Sequence, residues 1–279
     1  MVEKPLSVGV IGGGALATQW GLPSELLDVE TPHGEPSSRI SKIAIGEQVS
    51  VFAILRHGEQ HARGAEINHR ANVEALRRLG CDLVISVSLA GAISGRFDTG
   101  MTVIYDDVLD FRRSTQSFFG PRDACHVSMS PMVCPPLAAQ LSRVAAGLEL
   151  PYGGTMVVME GPRFSTRAES KMYAAVGGEL ICQTIAPECF LVRERGMCWA
   201  GVCLVTDRDT RDPAHPVSTP LIFANLDRFR ARNARNLLGI LSGLRPYDCP
   251  CRSAEHAVPK DLTEGLGPRR PPSREGDDS

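Results

Sequence analysis

The chain has 279 residues, of which 43% are hydrophobic and 22% are charged, with a formal net charge of −2. This composition is typical of a soluble protein with one large or two small α/β domains, and the balanced charge argues against a dedicated nucleic-acid binder. The sequence has no apolar run of the roughly 20 residues that span a membrane and no signal-peptide character, so we expect a cytoplasmic protein without a membrane partner. Its nine cysteines are too sparse for a disulfide scaffold, so we expect reduced thiols.

Apolar runs alternate with helical patterns along most of the chain. The first predicted strand, 7–11, ends in a run of glycines, and the next two, 40–45 and 49–55, are joined so closely that they predict a hairpin. The later predicted strands are 83–87, 101–105, 155–159, 180–182 and 199–205. The predicted helices are 67–79, 136–148, 166–176, 187–195 and 220–242. This order predicts a single α/β domain over 1–245, with a central mixed β-sheet flanked by helices.

The composition changes near the C-terminus. Residues 246–279 are rich in proline, glycine and charged residues and have no periodic apolar face, which predicts a disordered tail. Cys249 and Cys251 stand at its start, one residue apart. Two cysteines are too few for a zinc site, so we interpret them as idle thiols.

The glycine run after the first strand offers a dinucleotide-binding hypothesis. Gly12, Gly14 and Ala17 fit the pattern G-x-G-x-x-A. That fold needs an uninterrupted helix next and then a crossover to a second strand, but Gly21 and Pro23 break the segment and the following strands form a hairpin. The sequence therefore disfavours this reading and leaves two others, a backbone anion site or a tight turn.

Polar residues follow three of the predicted buried strands. Arg56 and His57 can donate to an oxyanion, Ser88 supplies a hydroxyl, and Asp207 and Asp209 supply carboxylates at alternate positions. Ligands of α/β proteins bind at strand ends, so these groups together predict a site that holds phosphate and protonates a heterocycle. Taken singly, each cluster fits a surface turn, a packing bend or, for the two acids, ion pairs with neighbouring arginines.

The segment 161–169 also combines unusual residues. Ser165 or Thr166 is suited to cap the following helix, with Glu169 as the capping-box partner. Phe164, just before the cap, is not needed for the helix and is placed to stack on a flat ligand.

Eight short motifs stand in one order along the chain: 11–16, 56–58, 68–72, 116–118, 125–126, 160–165, 167–170 and 206–209. Over 7–242 they resemble the trimeric purine nucleoside phosphorylase family, most closely its 5′-deoxy-5′-methylthioadenosine phosphorylase branch. The resemblance implies phosphate-dependent cleavage of an N-glycosidic bond by a homotrimer that takes a nucleoside and inorganic phosphate, with no further cofactor and no metal.

The resemblance also implies a role for individual residues. Phosphate is expected to contact Gly14, Arg56, His57, Ser88 and Thr184. Phe164 is expected to stack on the purine, Asp207 and Asp209 to address its N7 and 6-amino edge, and Gln183 and the backbone near Ala90 to face the ribose. The pocket for the 5′ substituent is expected to consist of Val217, Thr219 and Ile222 together with His126 of the partner subunit.

The implied chemistry assigns two critical groups. Asp207 is expected to donate a proton to N7 as the glycosidic bond breaks, a role that requires burial to raise its pKa. Arg56 is expected to be the most sensitive residue, because bidentate hydrogen bonds from its guanidinium would anchor and orient the attacking phosphate.

Two acids at the purine edge favour adenine nucleosides, because a carboxylate accepts from a 6-amino group. Three residues depart from the family's pattern: Gly14 lacks the usual hydroxyl, Gln183 replaces a methionine, and Thr219 replaces an aliphatic residue. They suggest an altered 5′ substituent or sugar, or weakened phosphorolysis. A 6-oxopurine nucleoside phosphorylase and a non-catalytic nucleoside-binding protein therefore stay open as alternatives.

Overall fold

The strands in the computed structural model form one mixed β-sheet. The structure describes residues 5–12, 20–59, 66–120, 126–214 and 216–252. The strands are β1 Leu6–Ile11, β2 Ser24–Leu27, β3 Ile40–Ile45, β4 Val49–Ile54, β5 Leu83–Ala92, β6 Thr102–Tyr105, β7 Asp107–Asp110, β8 Thr155–Val158, β9 Leu180–Cys182 and β10 Cys198–Asp207. The helices are α1 His69–Arg78, α2 Pro135–Gly147, α3 Arg167–Ala175, α4 Glu188–Glu194 and α5 Thr219–Ser242. Short 3₁₀ turns occupy Asp209–Arg211 and Pro250–Arg252.

Four parallel strands form the centre of the sheet and position the site. The order is β2-β3-β4-β1-β5-β9-β8-β7, with β10 paired to β5 and β6 paired to β10. β4, β1, β5 and β10 run parallel, so their carboxyl ends meet at one edge. Every residue of β1 and β10 is buried, as expected for strands covered on both faces. The predicted α/β class with a mixed sheet is confirmed.

The second and third predicted strands do form a hairpin. β3 pairs antiparallel with β4, and Ile45 lies opposite Val49 across the short turn. The chain therefore reaches β4 without the crossover that a dinucleotide fold requires at this point.

Two strands were not predicted, and two central strands are longer than predicted. β2 and β7 are short and largely exposed, so neither carries the apolar run that would mark it in the sequence. β5 continues through Ser88 to Ala92, because β10 stays paired alongside it as far as Gly91. Ser88 thus lies inside a strand, and the prediction that it follows a strand end is wrong.

The chain also stays packed beyond the predicted domain boundary at residue 245. Tyr247 and Cys249 contact the core, and Cys251 is only 8% exposed. Cys249 and Cys251 are therefore not the idle end of a disordered tail. Residues 253–279 lie outside the described part of the chain, and their disorder stays a prediction. None of the helices that the structure describes combines the length and the apolar character needed to cross a membrane.

Candidate functional site

A cavity of about 930 Å³ opens where the parallel strands end. Twelve of the fourteen predicted site residues line it: Arg56, His57, Ser88, Ala90, Phe164, Gln183, Thr184, Asp207, Asp209, Val217, Thr219 and Ile222. The exceptions are Gly14, which lies outside the described residues, and His126, which is discussed below. The fold thus brings together residues that are up to 166 positions apart in the sequence.

The first glycine of the glycine run shapes one wall of this cavity. Gly12 has φ of 81°, and a Cβ at this position would lie 2.3 Å from the carbonyl oxygen of Val87. Only glycine fits such a close approach in this conformation. Glycine at position 12 therefore lets the Arg56 guanidinium pack directly against the backbone of this residue.

Arg56 is held by a buried network of hydrogen bonds. Its Nε and Nη2 donate to the two carboxylate oxygens of Glu188, each at 2.9 Å, and its other described contacts are the carbonyl oxygens of Val87 and Ile11 at 2.8 and 3.0 Å. Four of its five N–H groups thus have partners among the described residues. The Nε–Nη2 edge of the guanidinium binds Glu188, and the expected contact between Arg56 and phosphate stays a prediction.

The ion pair with Glu188 keeps Arg56 positively charged on the cavity wall. Arg56 is 4% exposed, and although burial opposes its charge, the Glu188 carboxylate raises the pKa of Arg56 above its ordinary value. The Ser86 hydroxyl also donates to Glu188 at 2.5 Å and accepts from the Trp199 indole at 2.9 Å. Arg56 therefore offers an anion one remaining Nη1 hydrogen and a fixed positive charge.

His69 lies against the same network. Its Nδ1 is 3.8 Å from the Glu188 carboxylate, and burial, followed by the nearby Arg56 charge, lowers the pKa of His69 to about 3. The imidazole is therefore neutral and leaves the Glu188 charge to Arg56.

Glu188 was not predicted as a functional residue. An acid in the first turn of a helix ordinarily interacts with the helix dipole, and nothing in the sequence connects it to an arginine 132 residues away.

The Ser88 hydroxyl is available to a ligand. It is buried on the cavity wall beside the Tyr105 hydroxyl, with which it makes no hydrogen bond of ordinary geometry. Buried polar groups almost always have partners, so an unpaired hydroxyl facing a cavity points to a bound group that completes it. Thr184 and His57 line the same cavity.

Two buried carboxylates lie where β10 ends: Asp207 is its last residue, and Asp209 begins the 3₁₀ turn that follows. Asp207 is 5% exposed; its Oδ1 accepts from the Asp209 backbone N–H at 2.9 Å and its Oδ2 from the Thr206 hydroxyl at 2.9 Å. Burial, with a smaller contribution from the Asp209 charge, raises the pKa of Asp207. Asp209 accepts from the Ser165 hydroxyl at 2.7 Å through Oδ1, whereas its buried Oδ2 makes no hydrogen bond with a described residue.

The alternative that these acids are merely ion-paired to neighbouring arginines is wrong. Arg208 points outward and forms a bidentate pair with Asp98, at 2.6 and 2.7 Å. Arg211 donates to the carbonyl oxygens of Ala92 and Phe97. Both carboxylates thus face the cavity without a cation against them among the described contacts.

The segment before α3 closes another side of the cavity. Thr166, not Ser165, caps the helix, and Glu169 completes the capping box. Ser165 is thereby left to bind Asp209, a contact that the sequence did not reveal. Phe164 lies on the cavity wall, partly exposed, as a ring available to a flat ligand.

Polar and apolar groups line the remaining walls. The Gln183 side-chain amide donates to the Arg163 carbonyl oxygen at 2.8 Å, so its position is set by the α3 approach. The start of α5 supplies Thr219 and Ile222, and beside them Phe223, which was not predicted, is 50% exposed at the cavity. An exposed phenylalanine at the mouth of a cavity extends its apolar surface toward a ligand or a partner.

His126 does not reach this cavity within its own chain. It is exposed and lines a separate pocket of about 380 Å³ with Ser117, Phe119 and Glu194. Phe118, eight residues earlier, is anchored to the core: its backbone N–H donates to Glu194 at 2.7 Å, and the Arg195 guanidinium stacks on its ring at 3.8 Å.

Comparison with known proteins agrees with this architecture. The model of the phosphorylase superfamily matches residues 8–244. S-methyl-5′-thioadenosine phosphorylase of Geobacter sulfurreducens is 35% identical over 93% of this chain and 96% of its own length. The protein of the same name from Cereibacter sphaeroides is 37% identical over 90% of each chain.

Solved structures give the same result for the fold. A methylthioadenosine phosphorylase from an antarctic soil metagenomic library superposes with a TM-score of 0.76 at 32% identity, covering 86% of this chain and 85% of that one. Methylthioadenosine phosphorylase from Schistosoma mansoni, solved in complex with adenine, superposes with a TM-score of 0.78 at 25% identity, covering 85% and 91%.

Proposed function

The chain belongs to the phosphorylase superfamily, and we propose that it cleaves the N-glycosidic bond of 5′-methylthioadenosine, or of another 5′-modified 5′-deoxyadenosine, with inorganic phosphate. The products are adenine and a 5-modified ribose 1-phosphate, which makes the enzyme a pentosyltransferase of purine salvage. The observation that carries the proposal is the pair of buried carboxylates, Asp207 and Asp209, in a cavity that also holds Arg56 and an unpaired Ser88 hydroxyl. Relatives over nearly the full chain carry the same activity in their names.

The purine end of the cavity is suited to an adenine leaving group. As the bond lengthens, negative charge develops on the purine, and Asp207, whose pKa is raised by burial, donates a proton to N7. Asp209 keeps a free carboxylate oxygen that can accept from the 6-amino group. Phe164 supplies the stacking surface.

At the part of the cavity proposed to bind phosphate, a fixed positive charge lies beside side-chain hydrogen-bond donors. Arg56 supplies the cation and one N–H, while Ser88, Thr184 and His57 line the cavity beside it. Phosphate held there stabilises the positive charge that develops on the ribose and then attacks C1′. Phosphate is a co-substrate of this reaction, which needs no further cofactor. The sparse cysteines of the sequence, most of them inside apolar stretches, support a place in the cytoplasm.

The first prediction concerns the substrate. With phosphate present, we expect 5′-methylthioadenosine to be cleaved about tenfold or more faster than inosine. The 6-oxo group of inosine would place an acceptor, in place of the 6-amino donor, against a buried carboxylate, which costs about 1–3 kcal/mol. Adenine release is measured by chromatography, with a phosphate-free reaction as the control.

Each alternative has its own outcome in this experiment. Faster cleavage of inosine or guanosine would identify a 6-oxopurine phosphorylase. Tight nucleoside binding without turnover in saturating phosphate would identify a binding protein. Turnover of analogues with bulkier or more polar 5′ groups would define the substituent that Thr219 and Gln183 accept.

The second prediction concerns assembly. We propose that His126 of the partner subunit completes the 5′ pocket, because in its own chain it is exposed and away from the cavity. A head-to-tail contact repeated around a threefold axis gives three equivalent sites, so we expect a closed trimer. Light scattering should give three times the chain mass of 30.1 kDa, and His126→Ala should raise KM for the nucleoside without changing that mass. An active monomer would remove His126 from the site.

A further inference from the structure

Four cysteines converge at the end of the molecule where the C-terminal segment meets the core. The Sγ atoms of Cys134, Cys198, Cys249 and Cys251 all lie within 4.8 Å of one another. Three are buried and Cys249 is half-buried. Only Cys249 and Cys251 are neighbours in the sequence, and two ligands are too few for a zinc site. The fold supplies the other two from 51 and more residues away.

The spacing of the sulfurs suits a tetrahedral ion. With zinc–sulfur bonds of about 2.3 Å, the sulfurs of a tetrahedral site lie about 3.8 Å apart. Cys134 Sγ and Cys198 Sγ are 3.5 Å apart, and every other pair lies within 4.8 Å, so shifts of about 1 Å or less bring the four to this spacing. Four sulfur ligands close the shell, which is the arrangement of structural rather than catalytic zinc.

The ligands stand on two rigid elements and one short segment. Cys134 caps the start of α2, Cys198 is the first residue of β10, and Cys251 lies in the 3₁₀ turn Pro250–Arg252. An ion bound to all four would therefore fasten the C-terminal segment to the sheet and to α2.

A buried cation lies beside the cluster. The buried Arg193 donates from Nη1 to Cys251 Sγ at 2.7 Å. A Zn²⁺ ion with four thiolates carries a net charge of −2, and Arg193 offsets part of it.

We propose that Cys134, Cys198, Cys249 and Cys251 bind one Zn²⁺ ion in a structural site. The site is independent of the nucleoside cavity, because Cys198 and Asp207 lie at opposite ends of β10, about 30 Å apart at a strand's rise per residue. Zinc is preferred because its coordination has no geometric demand beyond four soft ligands and no redox change.

Metal analysis of the intact protein tests the proposal. The chain is purified in chelator-free buffer without a metal-affinity step, and plasma mass spectrometry should find about one zinc per chain. The double variant Cys249→Ala/Cys251→Ala should lose the zinc and melt roughly 5 °C or more lower. Cys81→Ala, which removes a buried thiol outside the cluster, is the matched control and should keep the zinc.

A second measurement does not depend on the folding of variants. Cobalt(II) added to the unmodified protein after zinc removal should give the thiolate-to-cobalt charge-transfer and ligand-field bands of a tetrahedral thiolate site. Iron in place of zinc, disulfides among these cysteines in peptide mapping of the native protein, or zinc retained by the double variant would overturn the proposal. Failure here would leave the phosphorolysis assay unaffected, because the two sites share no residue.

Discussion

Replacement of Asp207 by asparagine should lower kcat for 5′-methylthioadenosine by about 100-fold or more, the usual range for a general acid. Asparagine keeps the shape of the side chain: its one oxygen can accept from the Asp209 N–H, and its NH2 group can donate to the Thr206 hydroxyl oxygen. It has, however, no acidic proton for N7. The loss should therefore fall on kcat rather than on the nucleoside KM. Steady-state kinetics with saturating phosphate measures it.

The pH profile separates this role from a structural one. Burial raises the pKa of Asp207, and the reaction needs the protonated form, so kcat should fall as the pH rises through that pKa. The Asp207→Asn variant should lose this dependence. Asp212→Asn, the same change five residues on and outside the cavity lining, should retain both the rate and the profile. An Asp207→Asn enzyme with unchanged kcat would refute the assignment of the acid.

Replacement of Glu188 by glutamine should destabilise the protein by about 3–5 kcal/mol, because it leaves the buried Arg56 without its counter-charge. The amide has only one acceptor oxygen for the three groups that donate to the carboxylate, Arg56 Nε, Arg56 Nη2 and Ser86 Oγ. The freed guanidinium should also shift, so we expect KM for phosphate to rise about tenfold or more. Urea unfolding and phosphate kinetics measure the two effects.

A surface glutamate provides the comparison. Glu179 pairs with the half-exposed Arg96 at 3.5 Å, and exposed pairs contribute about 0–1 kcal/mol. Glu179→Gln should therefore change neither the stability nor KM for phosphate appreciably. If Glu188→Gln behaved in the same way, the Val87 and Ile11 carbonyl oxygens alone would be holding Arg56, and Glu188 would not position it.

Local patterns in the sequence determined much of the fold. The apolar runs predicted both ends of β3 and came within one residue of the ends of β1 and β4. The short link between β3 and β4 predicted their hairpin. Thr166 and Glu169 predicted the start of α3. These features depend on residues within a few positions of one another, where backbone hydrogen bonding and side-chain periodicity act directly.

The partners of the site residues were decided only by the tertiary structure. Arg56 meets Glu188 from 132 residues away, and Cys134 and Cys198 meet the C-terminal pair. Ser88 lies inside a strand because β10, far along the chain, pairs beside it. A residue type states which bonds a side chain can make, but burial decides which of them it must make: once water is excluded, each charge or thiol takes the nearest partner that the packed strands and helices bring to it.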